Sequence, residues 1–382
     1  MGDKPSVLVV LPSLQPARSG EYLEEIGENF IALVKSYAIT VAALKRPNET
    51  GEFDREGVHV LTMQRKDEES FGAGELLRWM RRIIAIHKER RFQIVHSVWA
   101  TYTSFLGMMV SYTLGIPSLV SVAGGECQYM PNIQYGGAGT LAHRIRLRWV
   151  LHHATALSAG SEIQKKIVGQ FYPPAEKKTS LAPFGIRGEL FPFKLRPAPS
   201  SEIVILAVGW LNTIKNYPLL LRAFAIVHRQ FPQAILNICG EGTEEMNLCA
   251  LTRDLQISGS VFFLGKISHF TLAEQYQNAH LFVHTSRFES QCFAIIEALS
   301  TGLPVVSTPV GIAPETLNGK NGAIVKFFDE NHVAKELICM ITRIQSSEYE
   351  EMQRKAYASS ERFEVLRTTN AFVSVYDELL HK

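Results

Sequence analysis

The sequence predicts an α/β protein built from two doubly wound parallel-sheet domains. Short β-branched apolar runs alternate with helical patterns along the whole chain. The alternation stops at a proline-rich interval and then restarts. The 382 residues are about two domains' worth of chain, with 46% hydrophobic and 20% charged residues. That composition excludes a disordered tail protein and a fibrous repeat.

In the first half, strands are expected at Val7–Leu11, Ile39–Ala43, Val58–Leu61, Ile94–His96, Leu119–Val122, Ala156–Ser158 and Thr179–Ala182. The second half restarts with Ile203–Val208, Ala234–Ile238, Val261–Phe263, Leu281–His284, Pro304–Ser307 and Ala323–Val325. Between them, Pro183–Ser201 holds four prolines and reads as an interdomain linker. The expected domains are therefore 1–190 and 202–365. The last segment, 366–382, has helical apolar spacing, and sequence alone does not choose the domain on which it packs. Ser97–Gly125 lacks any charge, but Gly115-Ile116-Pro117 breaks it into a helix, Tyr102–Leu114, and a buried strand. That is a βα unit, not a membrane span.

Several chemistries are excluded by spelling. There is no P-loop, no H-E-x-x-H, no G-x-S-x-G and no D-x-D pair for a metal clamp. Gly137-Ala138-Gly139-Thr140-Leu141-Ala142 fits G-x-G-x-x-A, but the segment before it contains Pro131 and makes a poor strand. A dinucleotide fingerprint is set aside, and these glycines read as a loop. A net charge of +2 is too balanced for a nucleic-acid binder. Five scattered cysteines without a C-x-x-C pair, and no h-region at the start, point to reduced thiols in the cytoplasm.

The segment His284–Val306 reads as strand, loop, helix, turn and strand. Glu289 lies in its loop and Glu297 inside its helix, with seven residues between them. A helix starting near Cys292 turns its free N–H groups outward, an anion site suited to a diphosphate. The alternative is that Glu289 is a solvated loop residue and Glu297 a surface cap. Glu297, however, stands between Ile295-Ile296 and Ala298-Leu299, where a charge is costly unless it has partners.

This segment resembles the E-x7-E signature of family 4 of the retaining glycosyltransferases, which have the GT-B fold. Other blocks agree in order. Val208-Gly209-Trp210-Leu211 with Lys215-Asn216 is similar to the family's V-G-R-L…K-G. Ile238–Gly242 resembles its I-x-G-x-G turn, and Phe263–Ile267 its F-x-G-x-[VI] block. Pro304-Val305-Val306 with Pro309–Glu315, and Asn321-Gly322, resemble its later motifs. The resemblance is strong over roughly 200–330 and diffuse before it.

It implies two Rossmann-like domains facing across a cleft, the C-terminal helix crossing back to the first. It also implies a nucleotide-diphosphate sugar as donor substrate and no metal or other cofactor. Lys215 would then neutralise the donor diphosphate, a task suited to a point-charge ammonium. Glu297 would hold the ribose, Glu289 would contact the donor sugar, and the N–H groups of Cys292 and Phe293 would hold phosphate. Gly240 and Gly242 would let backbone approach the nucleotide, and Ile267 would border the base. Gly20, before the first helix, stands near where the family has a glycine pair beside the diphosphate.

Two residues depart from the pattern. Trp210 replaces the arginine after V-G, and Ala123 replaces the histidine that faces the reacting sugar. Glu126, three residues on at a strand's carboxyl end, either takes over acceptor or sugar contacts or caps the following turn. His96, at the end of another strand, reads as a satisfied core histidine.

The expected activity is sugar transfer to a glycan or lipid-linked acceptor in cell-surface polysaccharide synthesis. The alternatives are a catalytically silent sugar-nucleotide binder, and an epimerase or phosphorylase of the same fold. Residues 1–190 carry a net +4 and the rest −2. The excess lies in two basic amphipathic helices, around Leu76–Arg91 and Leu141–His153, whose apolar faces either pack on the sheet with the charges solvated or make weak contact with the inner face of a membrane.

Overall fold

The structure, a computed structural model, describes residues 4–13, 23–45, 51–63 and 72–381. The chain forms two compact units, Met1–Gly185 with Val365–Lys382, and Ile186–Glu364. In the first unit the strands are β1 (Ser6–Ser13), β2 (Ala38–Lys45), β3 (Gly51–Arg55), β4 (Val58–Thr62), β5 (Ile94–Val98), β6 (Ser118–Val122), β7 (Ala156–Ala159) and β8 (Thr179–Leu181). They form one sheet in the order β3-β4-β2-β1-β5-β6-β7-β8. Every pair is parallel except β3 with β4. β4, β5 and β6 are buried at every position, including their polar residues His59, Thr62, His96, Ser97, Ser118 and Ser121.

β3 has no counterpart in the sequence reading. Its residues, Gly-Glu-Phe-Asp-Arg, hold a single apolar side chain, Phe53, and are only alternately half-buried, so no apolar run announces it. Glu56 and Gly57, both at positive φ, turn it into β4. The helix Tyr102–Leu114 ends at Gly115, whose φ of 66° closes it before Pro117. Among the described residues, no helix is long and apolar enough to cross a membrane. Gly137–Gly139 form a single 3-10 turn leading into the helix Leu141–His153.

The C-terminal helix Val365–Leu380 belongs to the first unit. The Tyr37 hydroxyl donates to Asp377 Oδ1 at 2.6 Å. His96, fully buried, meets the Tyr376 hydroxyl at 2.6 Å and Ser121 Oγ at 2.7 Å. Burial lowers its pKa to about 3, so it is a neutral, satisfied core histidine.

The second unit holds β9 (Ile203–Val208), β10 (Ala234–Cys239), β11 (Val261–Gly265), β12 (Leu281–His284), β13 (Val305–Ser307) and β14 (Gly322–Ile324). All pairs are parallel, in the order β11-β10-β9-β12-β13-β14. Here the chain first builds outward through β10 and β11, then returns to the other side of β9. The switch point is therefore the gap between β9 and β12, where open parallel sheets bind ligands at their carboxyl ends.

The interval Pro183–Ser201 does not stand free as a linker. From Ile186 on it is part of the second unit, with Phe191 buried in its core. Arg196 is buried as well, and its guanidinium donates to the carbonyls of Tyr276, Gln277 and Thr301 at 2.8–3.0 Å. The prolines mark irregular backbone, and irregular backbone can still be packed.

Candidate active site

The two strands flanking the switch point send out the two loops that carry the chemistry. After β9 the chain passes Gly209 and reaches Lys215, just before the helix Tyr217–Gln230. After β12 it runs from Thr285 to Cys292, which caps the helix Phe293–Ser300. The loops are stitched together. The Arg287 amide donates to Ile214 O at 2.8 Å, Thr285 Oγ1 to Lys215 O at 3.2 Å and Arg287 Nη2 to Asn216 Oδ1 at 3.0 Å.

This stitching brings Lys215 to Glu289. Lys215 Nζ lies 2.6 Å from Glu289 Oε1, and the same oxygen accepts from Ser286 Oγ at 2.8 Å and from His284 Nε2 at 3.1 Å. Burial pushes the Glu289 carboxyl up, but the Lys215 ammonium and the His284 hydrogen bond outweigh it and hold the group far below the usual range. Burial also lowers the pKa of His284, leaving a neutral ring that donates through Nε2.

Cys292 has a φ of 79°, the left-handed region that side chains seldom adopt. Its Sγ lies 3.4 Å from His284 Nε2, and burial pushes the thiol pKa up, so it is no thiolate. His284, Glu289 and Cys292 offer nitrogen, oxygen and sulfur atoms within 4.8 Å of one another, a donor set of the zinc kind. An ammonium already sits at bonding distance from the shared oxygen, where a cation would have to go. The cluster is better described as the seat of Lys215. The helix behind it opens with Phe293, and its first-turn amides have no intrahelical acceptors, the Ile295 amide turning to the Cys292 sulfur instead.

Glu297 is buried one turn further in. Its Oε2 accepts from the Tyr276 hydroxyl at 2.8 Å, and its Oε1 has no partner among the described residues. A buried carboxylate with an idle oxygen is rare unless something else binds it.

Gly240 has a φ of 145°, and a Cβ there would stand 2.0 Å from Gly209 O. At Gly242 a Cβ would stand 2.4 Å from Leu211 O. Both glycines let the turns after β9 and β10 pack backbone against backbone, which brings the Lys215 loop into place. Ile267, just past β11, is partly buried against the core. Trp210 is 40% exposed at the carboxyl end of β9.

Glu126 is in the first unit and is spent on its own loop. Its Oε1 accepts from the Ala100 amide at 3.0 Å and its Oε2 from the Gly124 amide at 2.7 Å. It joins the exit of β5, where Trp99 has a φ of 64°, to the exit of β6. The geometry is that of a cap, one of the two roles the sequence left open for it. Gly20 lies outside the described residues. Sequence reasoning missed Ser286, His284 and Tyr276 as members of the site. His284, a polar residue ending a buried strand at the switch point, was the one readable signal; Tyr276 reaches Glu297 only through tertiary packing.

The sequence model of the family described as "Glycosyl transferases group 1" matches residues 193–359. That of the "Glycosyl transferase 4-like domain" matches residues 19–183. The chain is 25% identical over 227 residues to the UDP-N-acetylglucosamine–peptide N-acetylglucosaminyltransferase GtfA subunit of Streptococcus gordonii, an alignment of 57% of this chain and 44% of that protein. It is 25% identical over 240 residues to the alpha-monoglucosyldiacylglycerol synthase of Streptococcus pneumoniae, 59% of this chain and 53% of that protein. The match thus spans about half the length of these relatives. Among solved structures, sucrose-phosphate synthase of Thermosynechococcus elongatus superposes with a TM-score of 0.81 at 18% identity, over 99% of both chains. Anabaena HepE in complex with UDP and glucose gives 0.73 at 17% identity, over 98% of this chain and 100% of that one. At these identities the structures establish a shared fold.

Proposed function

We propose, from the premise that the chain belongs to the group 1 glycosyltransferases, that it moves a sugar from a nucleoside-diphosphate donor to a glycan or lipid-linked acceptor with retention at the anomeric carbon. The observation that carries this is the Lys215–Glu289 pair at the switch point, beside the amides of the helix Phe293–Ser300. An ammonium next to a helix N-terminus suits a leaving diphosphate. Glu289, held by three side chains, suits the hydroxyls of the donor sugar. Glu297, with its idle oxygen, suits the ribose.

In the proposed reaction the acceptor oxygen bonds to the anomeric carbon while the bond to the diphosphate oxygen breaks. The acceptor proton leaves on that diphosphate, so no protein nucleophile is needed. Lys215 and the helix amides stabilise the charge that grows there, and the reading requires no metal. Of the relatives, one by name acts on a peptide and one makes a glycolipid, and the second supports a lipid-linked acceptor. The five cysteines are unpaired, in keeping with work in the cytoplasm at the inner face of a membrane.

The helix Leu141–His153 supports weak membrane contact, because Leu141 and Ile145 are exposed alongside Arg144, Arg146 and Arg148. Pelleting with anionic vesicles at low salt, lost at high salt, is the expected result; no pelleting at any salt would remove that contact.

The main test incubates the protein with a panel of nucleotide sugars and acceptors and reads diphosphate release and product anomeric configuration by NMR. Retained configuration, with activity surviving a chelator, is expected. An inverted product, or activity that a chelator abolishes and manganese restores, would overturn the mechanism. Trp210, exposed where the family has an arginine, favours a second reading as a silent sugar-nucleotide binder. Saturable binding with no diphosphate release from any donor would establish it.

A further inference from the structure

Tyr276 lies on the helix His269–Asn278 and is fully buried between Phe191 and Phe282, its ring 5.8 and 5.7 Å from theirs. A phenol hydroxyl in such a place needs a partner, and this one has Glu297 Oε2 at 2.8 Å, with Ala294 O at 3.3 Å. Burial, and then the nearby carboxylate, push the phenol pKa well above its usual value, so it is a permanent donor.

The two glutamates of the site are held in different ways. Glu289 shares one oxygen among an ammonium, an imidazole and a hydroxyl. Glu297 receives one neutral hydroxyl on Oε2, which leaves its Oε1 for a ligand.

The frame behind this contact is tied down from the far end. Arg196 Nη2 donates to Tyr276 O at 3.0 Å and to Thr301 O at 2.9 Å, and its Nε donates to Gln277 O at 2.8 Å. These carbonyls end the two helices that carry Tyr276 and Glu297, where a cation is favoured. Gln353 holds the Arg196 backbone in both directions, at 2.8 and 2.9 Å.

We infer that Tyr276 is a positioning residue, which sets the carboxylate of Glu297 so that it accepts both ribose hydroxyls of the donor nucleotide. The inference rests on the proposed role of Glu297. A side chain held in advance loses less rotamer freedom when the ligand arrives.

The test uses the full chain and calorimetry with UDP, GDP and ADP, then the 2′,3′-dideoxy form of the tightest binder. Wild type should prefer the ribonucleotide. Tyr276→Phe keeps the ring and its packing, and should weaken ribonucleotide binding about tenfold, the scale of one hydrogen bond to a charged group. Binding of the dideoxy form should not change. Tyr276→Phe made in a Glu297→Gln background should add no further loss, and thermal melting checks that each variant is folded.

Equal weakening of both nucleotides would mean a merely structural tyrosine and overturn the inference. So would a variant that keeps the full ribose preference. Wild type without any ribose preference would instead sink the role of Glu297, and this inference with it.

Discussion

Glu126 in the first unit and Glu289 in the second both follow the carboxyl end of a parallel strand, and both are largely withdrawn from water. Glu126 accepts from two backbone amides, Ala100 and Gly124. Glu289 accepts from three side chains, Lys215, Ser286 and His284. Amides are part of the fold and cannot turn toward a ligand without breaking it. Side-chain donors can, and a lysine on its four-carbon stem can pass from one anion to another. The first carboxylate is therefore committed to structure, whereas the second is held in a form that a diphosphate sugar could reorganise.

The sharpest break in this contrast is Lys215→Ala. It removes a charge aimed at the leaving group, and turnover should fall on the order of a hundredfold to a thousandfold in steady-state kinetics. A loss below fivefold, with the fold intact, would make the Lys215–Glu289 pair a structural ion pair like any other.

Glu126→Ala should act on the opposite property. It leaves the buried amide of Ala100 and the part-buried amide of Gly124 without this acceptor, and should cost about 3 kcal/mol of unfolding free energy in urea titrations. Affinity for a nucleoside diphosphate, measured by calorimetry, should not change. A stable Glu126 variant with lost nucleotide binding would reverse the assignment.

The smallest effect separates the two carboxylates by pH. The folded-state pKa of Glu289 is depressed, so its stabilisation is fully present above the unfolded value of about 4.3 and is lost as pH falls below that toward the folded value. Wild type should therefore lose stability between about pH 5 and pH 3 more steeply than Glu289→Gln, which has no such group to protonate. Parallel slopes in chemical denaturation would show that Lys215 does not hold Glu289 as described.

The legible parts of the molecule share one property: their signal is local. Parallel strands buried on both faces write themselves as β-branched runs between glycine and proline, so β9 and β12 were readable to the residue. The spacing of Glu289 and Glu297 around a helix start was readable for the same reason, as was a charge inside the apolar run Ile295–Leu299. β3 was not, because an edge strand with a single apolar side chain carries no apolar run. The segment after Pro183 read as a tether because proline describes the backbone; it is silent on whether Phe191 and Arg196 are buried.

Sequence alone thus determined the two doubly wound domains and the residue types at the site, since periodicity and turn chemistry act within a few residues of chain; the switch point follows from the strand order, which only the structure gives. Only the tertiary structure decided which groups meet. Lys215 and Glu289 are 74 residues apart, Tyr276 and Glu297 are 21 apart, and Arg196 and Gln353 are 157 apart. Each of these contacts depends on how helices and loops pack on the sheet, and a hydrogen bond across such a distance leaves no mark on either partner's neighbours in sequence.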